Sequence, residues 1–226
     1  MIEKNKEQND MSTKIKICGL TKPEEATYLN EIHADFAGMV VFFPKSKRNI
    51  SLEQAKKIKA MLDPYIKTVA VTVSPTPKQI RDISDAGFDL IQIHKDPAEL
   101  IQKTSDAVHE FTDKVSLPIL KAFNVSDIDD YALWRNCPNV AGFIFDAAEP
   151  GSGKVFDWTL LQSLPRNEKL FMLAGGLTAE NVSAAIFTLH PDGVDVSSGV
   201  EYTNLGSALG KDPARIRAFA KAVLCS

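Results

Sequence analysis

Short apolar runs rich in Val, Ile and Phe recur along the chain, each followed by a turn and then a stretch of helical periodicity. The runs cover residues 15–18, 36–42, 68–73, 90–93, 119–122, 141–145, 171–174 and 194–196. Continuous apolar segments of this length suit strands buried on both faces, as in a parallel sheet. Between them lie amphipathic stretches. Residues 51–62 open on Ser51 and Gln54 as a capping box and set Leu52, Ala55, Ile58 and Leu62 on one side. From Pro213 onward, Ile216, Phe219, Ala220 and Val223 recur at i, i+3, i+4 and i+7. After the first run, Thr21 with Glu24 has capping-box spacing and predicts a helix start. Eight such alternations predict an α/β fold, a single (β/α)8 TIM barrel, and 226 residues lie near the low end for that architecture. The rival, an open doubly wound sheet, calls for a GxGxxG turn after the first strand, and none is there.

Composition narrows the class. Apolar residues make up 44% and charged residues 24%, ordinary for a globular protein. A formal charge of −3 supplies no general attraction to nucleic acid or an anionic membrane, so neither is an expected partner and any anion must be bound by a few placed donors. Cys18, Cys137 and Cys225 are far apart and without CxxC spacing, which argues against a disulfide framework or a zinc cluster and for a reducing, cytoplasmic setting. No apolar run approaches the ~18 residues of a membrane span. Residues 1–13 are too polar for a signal peptide and are expected to be a disordered extension, with Met11 a candidate start for a more compact version. No linker interrupts residues 14–226, so these are expected to form one catalytic domain. Charge and apolar fraction leave monomer and homodimer equally open.

In a TIM barrel the chemistry sits at the carboxyl ends of the strands. Here those positions hold Cys18, the 44–48 segment, His94, Asp146, Gly175 with Gly176, and Ser197 with Ser198. Cys18 stands between the first strand and the predicted helix start, where a thiol is either a small core residue or a base favoured by the helix end. The loops AGGLT and VSSGVE follow the seventh and eighth runs, the frequent phosphate site of the fold, and their glycines and hydroxyls suit an anion. GSGK, residues 151–154, is a third glycine-rich turn without full P-loop spacing. Lys45, Lys47 and Arg48 form either a solvated basic loop or, through one arginine, a grip for a carboxylate. Asp146, emerging from an apolar FIF, can serve as a general acid or cap a helix. His94 lines the site or is a satisfied structural histidine. Asp195 lies within the eighth run and reads as structural, or as support for the phosphate loops.

Taken together, KICGLT, FFPKSKRNIS, QIH, FDW after GSGK, AGGLTAENV and VDVSSGVE closely resemble the phosphoribosylanthranilate isomerase family of tryptophan biosynthesis, in that family's order, from about Lys14 to the C-terminus. The resemblance implies a cofactor-independent Amadori rearrangement of N-(5-phosphoribosyl)anthranilate to 1-(2-carboxyphenylamino)-1-deoxyribulose 5-phosphate. It makes Cys18 the general base at C2, Asp146 the acid at the ribose ring oxygen and Arg48 the holder of the anthranilate carboxylate. Phosphate falls to Gly175, Gly176, Ser197 and Ser198, with Gly153 in a covering GSGK loop and His94 lining the site. Acid and base are then expected across the barrel mouth from each other. Three departures stand out: GMVVFFPKS is one residue longer than the common form, Lys95 replaces a common Gly after QIH, and the loop before GSGK is short. A histidine-pathway sugar isomerase is disfavoured by a cysteine where a carboxylate is expected, and an indole-forming synthase by the short polar stretch before Lys14. A barrel that only binds phosphate would lack the acid or the base, and both are present.

Overall fold

The computed structural model describes residues 13–97, 100, 103–146, 159–203 and 210–226. The expected extension, apart from residue 13, and the GSGK loop with Gly153 lie outside the described residues. Eight parallel strands close into a barrel: β1 (Lys14–Cys18), β2 (Phe36–Val41), β3 (Lys67–Val73), β4 (Leu90–His94), β5 (Ile119–Asn124), β6 (Val140–Asp146), β7 (Leu170–Ala174) and β8 (Gly193–Val196). Each pairs in parallel with its sequence neighbour, and β1 pairs with both β2 and β8, which completes the ring. A two-residue strand, Asn49–Ile50, adds to the edge of β2 and draws the preceding basic loop back onto the barrel.

The helices are α1 (Glu25–Glu31), α2 (Leu52–Lys59), α3 (Pro77–Asp85), α4 (Ser105–Asp113), α5 (Tyr131–Trp134), α6 (Thr159–Gln162), α7 (Val182–Leu189) and α8 (Pro213–Leu224). Every barrel strand is covered on both faces, so alternate residues enter two different cores. Ile15, Ile17, Met39, Ile91, Ile93, Phe143, Phe145 and Leu173 point outward to the helices, while Phe36, Val69, Leu90, Leu120, Ile144 and Met172 fill the interior. Outside β6, Phe145 packs against Phe171 in a tilted pair with centroids 4.5 Å apart, and Tyr131 of α5 meets Phe143 edge-on at 4.8 Å. These contacts fix the strand that ends in Asp146.

Local chemistry departs from the expected caps in instructive ways. Ser51 does cap α2, accepting from Gln54 N at 3.1 Å, but the Gln54 amide donates to Thr21 O at 3.2 Å instead of back to the cap. A full capping box forms at α3, between Thr76 and Gln79. Thr21 and Glu24 form none: α1 starts at Glu25, whose carboxylate accepts from Thr21 N at 2.6 Å and Lys22 N at 3.0 Å. α8 is capped by Asp212, which accepts from Ala214 N at 2.8 Å, with Pro213 at the first helical position.

The extra length expected in β2 is absorbed as a bend, because the strand stops at Val41 and Phe42 turns left-handed with φ 58°. Lys95, where the resembled family commonly has Gly, is also left-handed, with φ 50°, and its side chain is exposed. Lys95→Gly is therefore expected to raise the unfolding free energy by about 0.5 to 1 kcal/mol, as relief of the left-handed backbone outweighs glycine's greater unfolded-state freedom. Urea unfolding of the two proteins checks this.

Candidate active site

Strand alternation builds the site. Because Ile15 and Ile17 face the helices, Lys16 and Cys18 face the interior. By the same parity Gln92 and His94 enter from β4, Ile144 and Asp146 from β6, and Asp195 from β8. At the carboxyl end of the barrel these strands surround a cavity of about 410 Å³ lined by Cys18, Arg48, His94 and Asp146 together with Gly175, Gly176, Ser197 and Ser198. The structure thus brings together all the sequence-derived site residues it describes. β1 and β6 are separated around the ring by β8 and β7, so Cys18 and Asp146 face each other obliquely and not across a full diameter.

Arg48 does not reach into the cavity with its whole fork. Its Nε and a terminal nitrogen are both bonded to the Glu201 carboxylate, the latter at 3.0 Å, and Lys47 adds a second cation at 3.2 Å. The expected two-pronged grip on a carboxylate must use the remaining edge of the guanidinium. Glu201 is in turn held from behind by the fully buried Lys211, Nζ to Oε1 3.2 Å. Burial alone would raise the Glu201 carboxyl, but the hydrogen bond from Arg48 and the charges of Lys211 and Arg48 hold it at about 2.

Lys211 also donates to Ser197 O at 3.1 Å and Ser197 Oγ at 3.3 Å, and the Ser197 hydroxyl donates to Cys18 O at 2.9 Å. That hydroxyl is a strut between β1 and β8 with its proton already committed. The backbone N–H of Lys211 donates to Glu25, the same carboxylate that ties down Thr21 and Lys22. Gly19, at φ 80°, leaves the space into which the Arg48 stem packs. Three loops, after β1, β2 and β8, are thereby bound into one polar network.

This arrangement corrects the expected source of the Cys18 electrostatics. Thr21 N and Lys22 N, ahead of α1, are met by Glu25, and the N–H groups of Glu25, Ala26 and Thr27 bond to Lys22 O, Pro23 O and Glu24 O, so the start of α1 is satisfied locally and does not serve the thiol. Burial pushes the Cys18 thiol up, Lys16 and Lys211 oppose that rise, and Asp195 adds to it. Lys16 Nζ meets Asp195 Oδ2 at 2.9 Å, both side chains being buried. Asp195 is thus part of an ion pair inside the barrel. His94 is pushed down to about 4 by burial and by the charges of Lys16 and Lys121, so it is neutral near pH 7. The Gln92 side-chain amide meets His94 Nε2 at 2.8 Å, which holds the ring in the cavity wall.

The phosphate-type loops are packed against each other through Gly199, where a Cβ would collide with the carbonyl of Leu177. Lys16, Glu201, Lys211 and Gly199 escaped sequence reasoning. Lys16 was readable, since it lies two residues from Cys18 in a strand and so on the same face. Nothing local marks Lys211, which arrives from the far end of the chain. Gly199→Ala is expected to cost about 1 to 3 kcal/mol of stability by overpacking and to weaken inorganic phosphate binding about tenfold, read by urea unfolding and titration calorimetry. The Glu201 ion pairs stabilise the fold fully above the carboxyl's ordinary value of 4.5 and lose that effect as pH falls toward 2. The stability difference between the native protein and Glu201→Gln should accordingly narrow from pH 5 to pH 3.

Residues 15–222 match the family described as N-(5'phosphoribosyl)anthranilate (PRA) isomerase. The N-(5'-phosphoribosyl)anthranilate isomerase of Neisseria gonorrhoeae is 38% identical over 209 residues, spanning 90% of this chain and 93% of the relative. The crystal structure of phosphoribosyl anthranilate isomerase from Thermotoga maritima superposes with a TM-score of 0.76 at 35% identity, covering 93% of this chain and 98% of that one. A second solved structure, of a phosphoribosyl anthranilate isomerase in complex with reduced 1-(o-carboxyphenylamino)-1-deoxyribulose 5-phosphate, gives a TM-score of 0.71 at 33% identity, covering 93% of this chain and 98% of that chain. Similarity sustained over almost the whole barrel, in both sequence and backbone, means that this chain belongs to the N-(5'-phosphoribosyl)anthranilate isomerase family.

Proposed function

We propose that this protein isomerises N-(5-phosphoribosyl)anthranilate to 1-(2-carboxyphenylamino)-1-deoxyribulose 5-phosphate, a step of tryptophan biosynthesis, with residues 14–226 as the catalytic domain acting in the cytoplasm. The reading rests on one observation above the others: a thiol and a carboxyl, Cys18 and Asp146, line the same cavity as two glycine- and serine-rich loops. Asp146 protonates the ribose ring oxygen, and the ring C–O bond breaks as the anilino nitrogen lone pair forms an iminium at C1. The Cys18 thiolate then removes the proton from C2, and that electron pair flows to the nitrogen, giving an enolamine whose tautomerisation yields the ketose. No redox partner is needed, because C1 is reduced as C2 is oxidised within one molecule.

Binding and chemistry are separate in this scheme. The phosphate sits against Gly175, Gly176 and the Ser197–Ser198 turn, where backbone N–H groups and the Ser198 hydroxyl suit an anion, with Gly153 assigned to the same role. The free edge of Arg48 holds the anthranilate carboxylate, and neutral His94 lines the sugar. Among the described residues no helix is long and apolar enough to cross a membrane, in keeping with a small-molecule substrate met in water.

The substrate, formed in situ from anthranilate and phosphoribosyl pyrophosphate by a suitable transferase, is fluorescent, and its loss on adding the protein measures turnover. The native chain should consume it rapidly. Cys18→Ser and Asp146→Asn should each lower kcat by about 10²- to 10⁴-fold with little change in KM. Arg48→Ala should chiefly raise KM. Folded native protein that leaves the fluorescence unchanged would overturn the assignment.

A further inference from the structure

The Lys16–Asp195 pair is a feature of the barrel interior that packing does not explain. Both side chains are buried, the lysine completely, at a depth where neighbouring strands contribute Phe36, Val69, Leu120 and Met172. An ion pair in such surroundings is often matched or bettered in stability by apolar residues of similar volume, because the two charges must be stripped of water. Its polar groups are also incompletely satisfied, since Asp195 Oδ1 is buried with no hydrogen-bond partner. The pair's position is what sets it apart. Lys16 is two residues before Cys18 on the same face of β1, and Asp195 is its register partner on β8. On the other side β2 brings Gly38 opposite Cys18, and the point where Gly38 would carry a Cβ is 3.1 Å from both Cys18 Sγ and Lys16 Nζ. The missing side chain is what lets ammonium and sulfur approach each other.

We propose that Lys16 is a positioning residue for the isomerisation: its ammonium, oriented by Asp195 and admitted by Gly38, stabilises the Cys18 thiolate that acts as base. The inference deepens the isomerase reading and rests on it for the thiolate's purpose. The other charged groups around the thiol fit this role less well. Lys211 approaches from the segment before α8 but is already shared between Ser197 and Glu201. Arg48, from the loop after β2, is committed to Glu201. His94 on β4 is neutral near pH 7, and Asp146 on β6 and Asp195 on β8 are acids, which oppose a thiolate wherever they are ionised. Lys16 is left as the cation that most strongly opposes burial at Cys18. Asp195 both aims the ammonium and, by its own charge, limits how far the thiol is driven toward the thiolate.

The test is the pH dependence of Cys18 alkylation by iodoacetamide in the whole protein, followed by mass spectrometry of the Cys18 peptide so that Cys137 and Cys225 do not contribute. Lys16→Met should shift the midpoint upward by at least one unit, slow alkylation at neutral pH about tenfold, and lower kcat with KM held, the loss shrinking as pH rises. Asp195→Asn should shift the midpoint the other way, since it removes a negative charge and leaves the lysine. Midpoints unchanged in both variants, with only thermal stability lowered, would overturn the proposal. If Lys16→Met does not fold, Asp195→Asn alone decides: a downward shift supports the pairing, and an unchanged or raised midpoint refutes it. The alkylation profile needs no substrate, so failure of the isomerase assignment would show as absent turnover with these shifts intact.

Discussion

The register of β1 between its two neighbours is the constraint on which the site depends. β1 closes the ring, and its side-chain period of two leaves no freedom once Ile15 and Ile17 are given to the helix layer. Lys16 must then meet Asp195 on β8, and Cys18 must meet Gly38 on β2. A slip of one residue would bury two isoleucines in the barrel interior and expel the lysine and the thiol into the helix layer. Closure of the fold and placement of the chemistry are the same event.

Above that layer the loops are joined by charge. Glu25, Lys211, Glu201 and Arg48 form a chain that runs from the start of α1, through the segment before α8, to the loop after β2, with the Ser197 hydroxyl tying it to Cys18 O. Each charged group in the chain faces at least one of opposite sign or a backbone dipole, which is what makes burial of Lys211 tolerable. The arrangement holds Arg48 by one edge in advance of any ligand. Order established before binding lowers the entropy lost on binding, so the pinned arginine suits recognition of an anion better than a free one would.

Of the five left-handed non-glycine residues among those described, Phe42, Ser74 and Lys95 lie directly after strands, and His33 and His190 follow helices. Phe42 and Lys95 adopt left-handed conformations directly after β2 and β4, and in each case the chain leaves the barrel rim sharply. Phe42 converts what the apolar pattern reads as a seventh strand residue into a bend, and the Asn49–Ile50 pairing then returns the loop to β2 with Arg48 at its end. Arg48 is thus aimed by a left-handed position six residues earlier.

Much of this was legible in the linear chain. The eight apolar runs mark the eight strands to within a residue or two, because a strand buried on both faces has to be apolar throughout and helices between parallel strands have to be amphipathic. The strand-end rule of the barrel then pointed to Cys18, His94, Asp146 and the two glycine-rich loops, which the structure gathers around one cavity. What the chain alone did not reveal are partnerships between residues far apart in sequence. Glu25 takes the Thr21 and Lys22 N–H groups ahead of α1 where a Thr21–Glu24 box was expected, Glu201 occupies half of the Arg48 fork, and Lys211 braces Ser197. Local pattern determines which face a side chain occupies, since that follows from the backbone repeat. Which charge it meets there is decided only when the barrel closes and brings the first and last strands side by side, because electrostatic pairing depends on distance in space and carries no period along the chain.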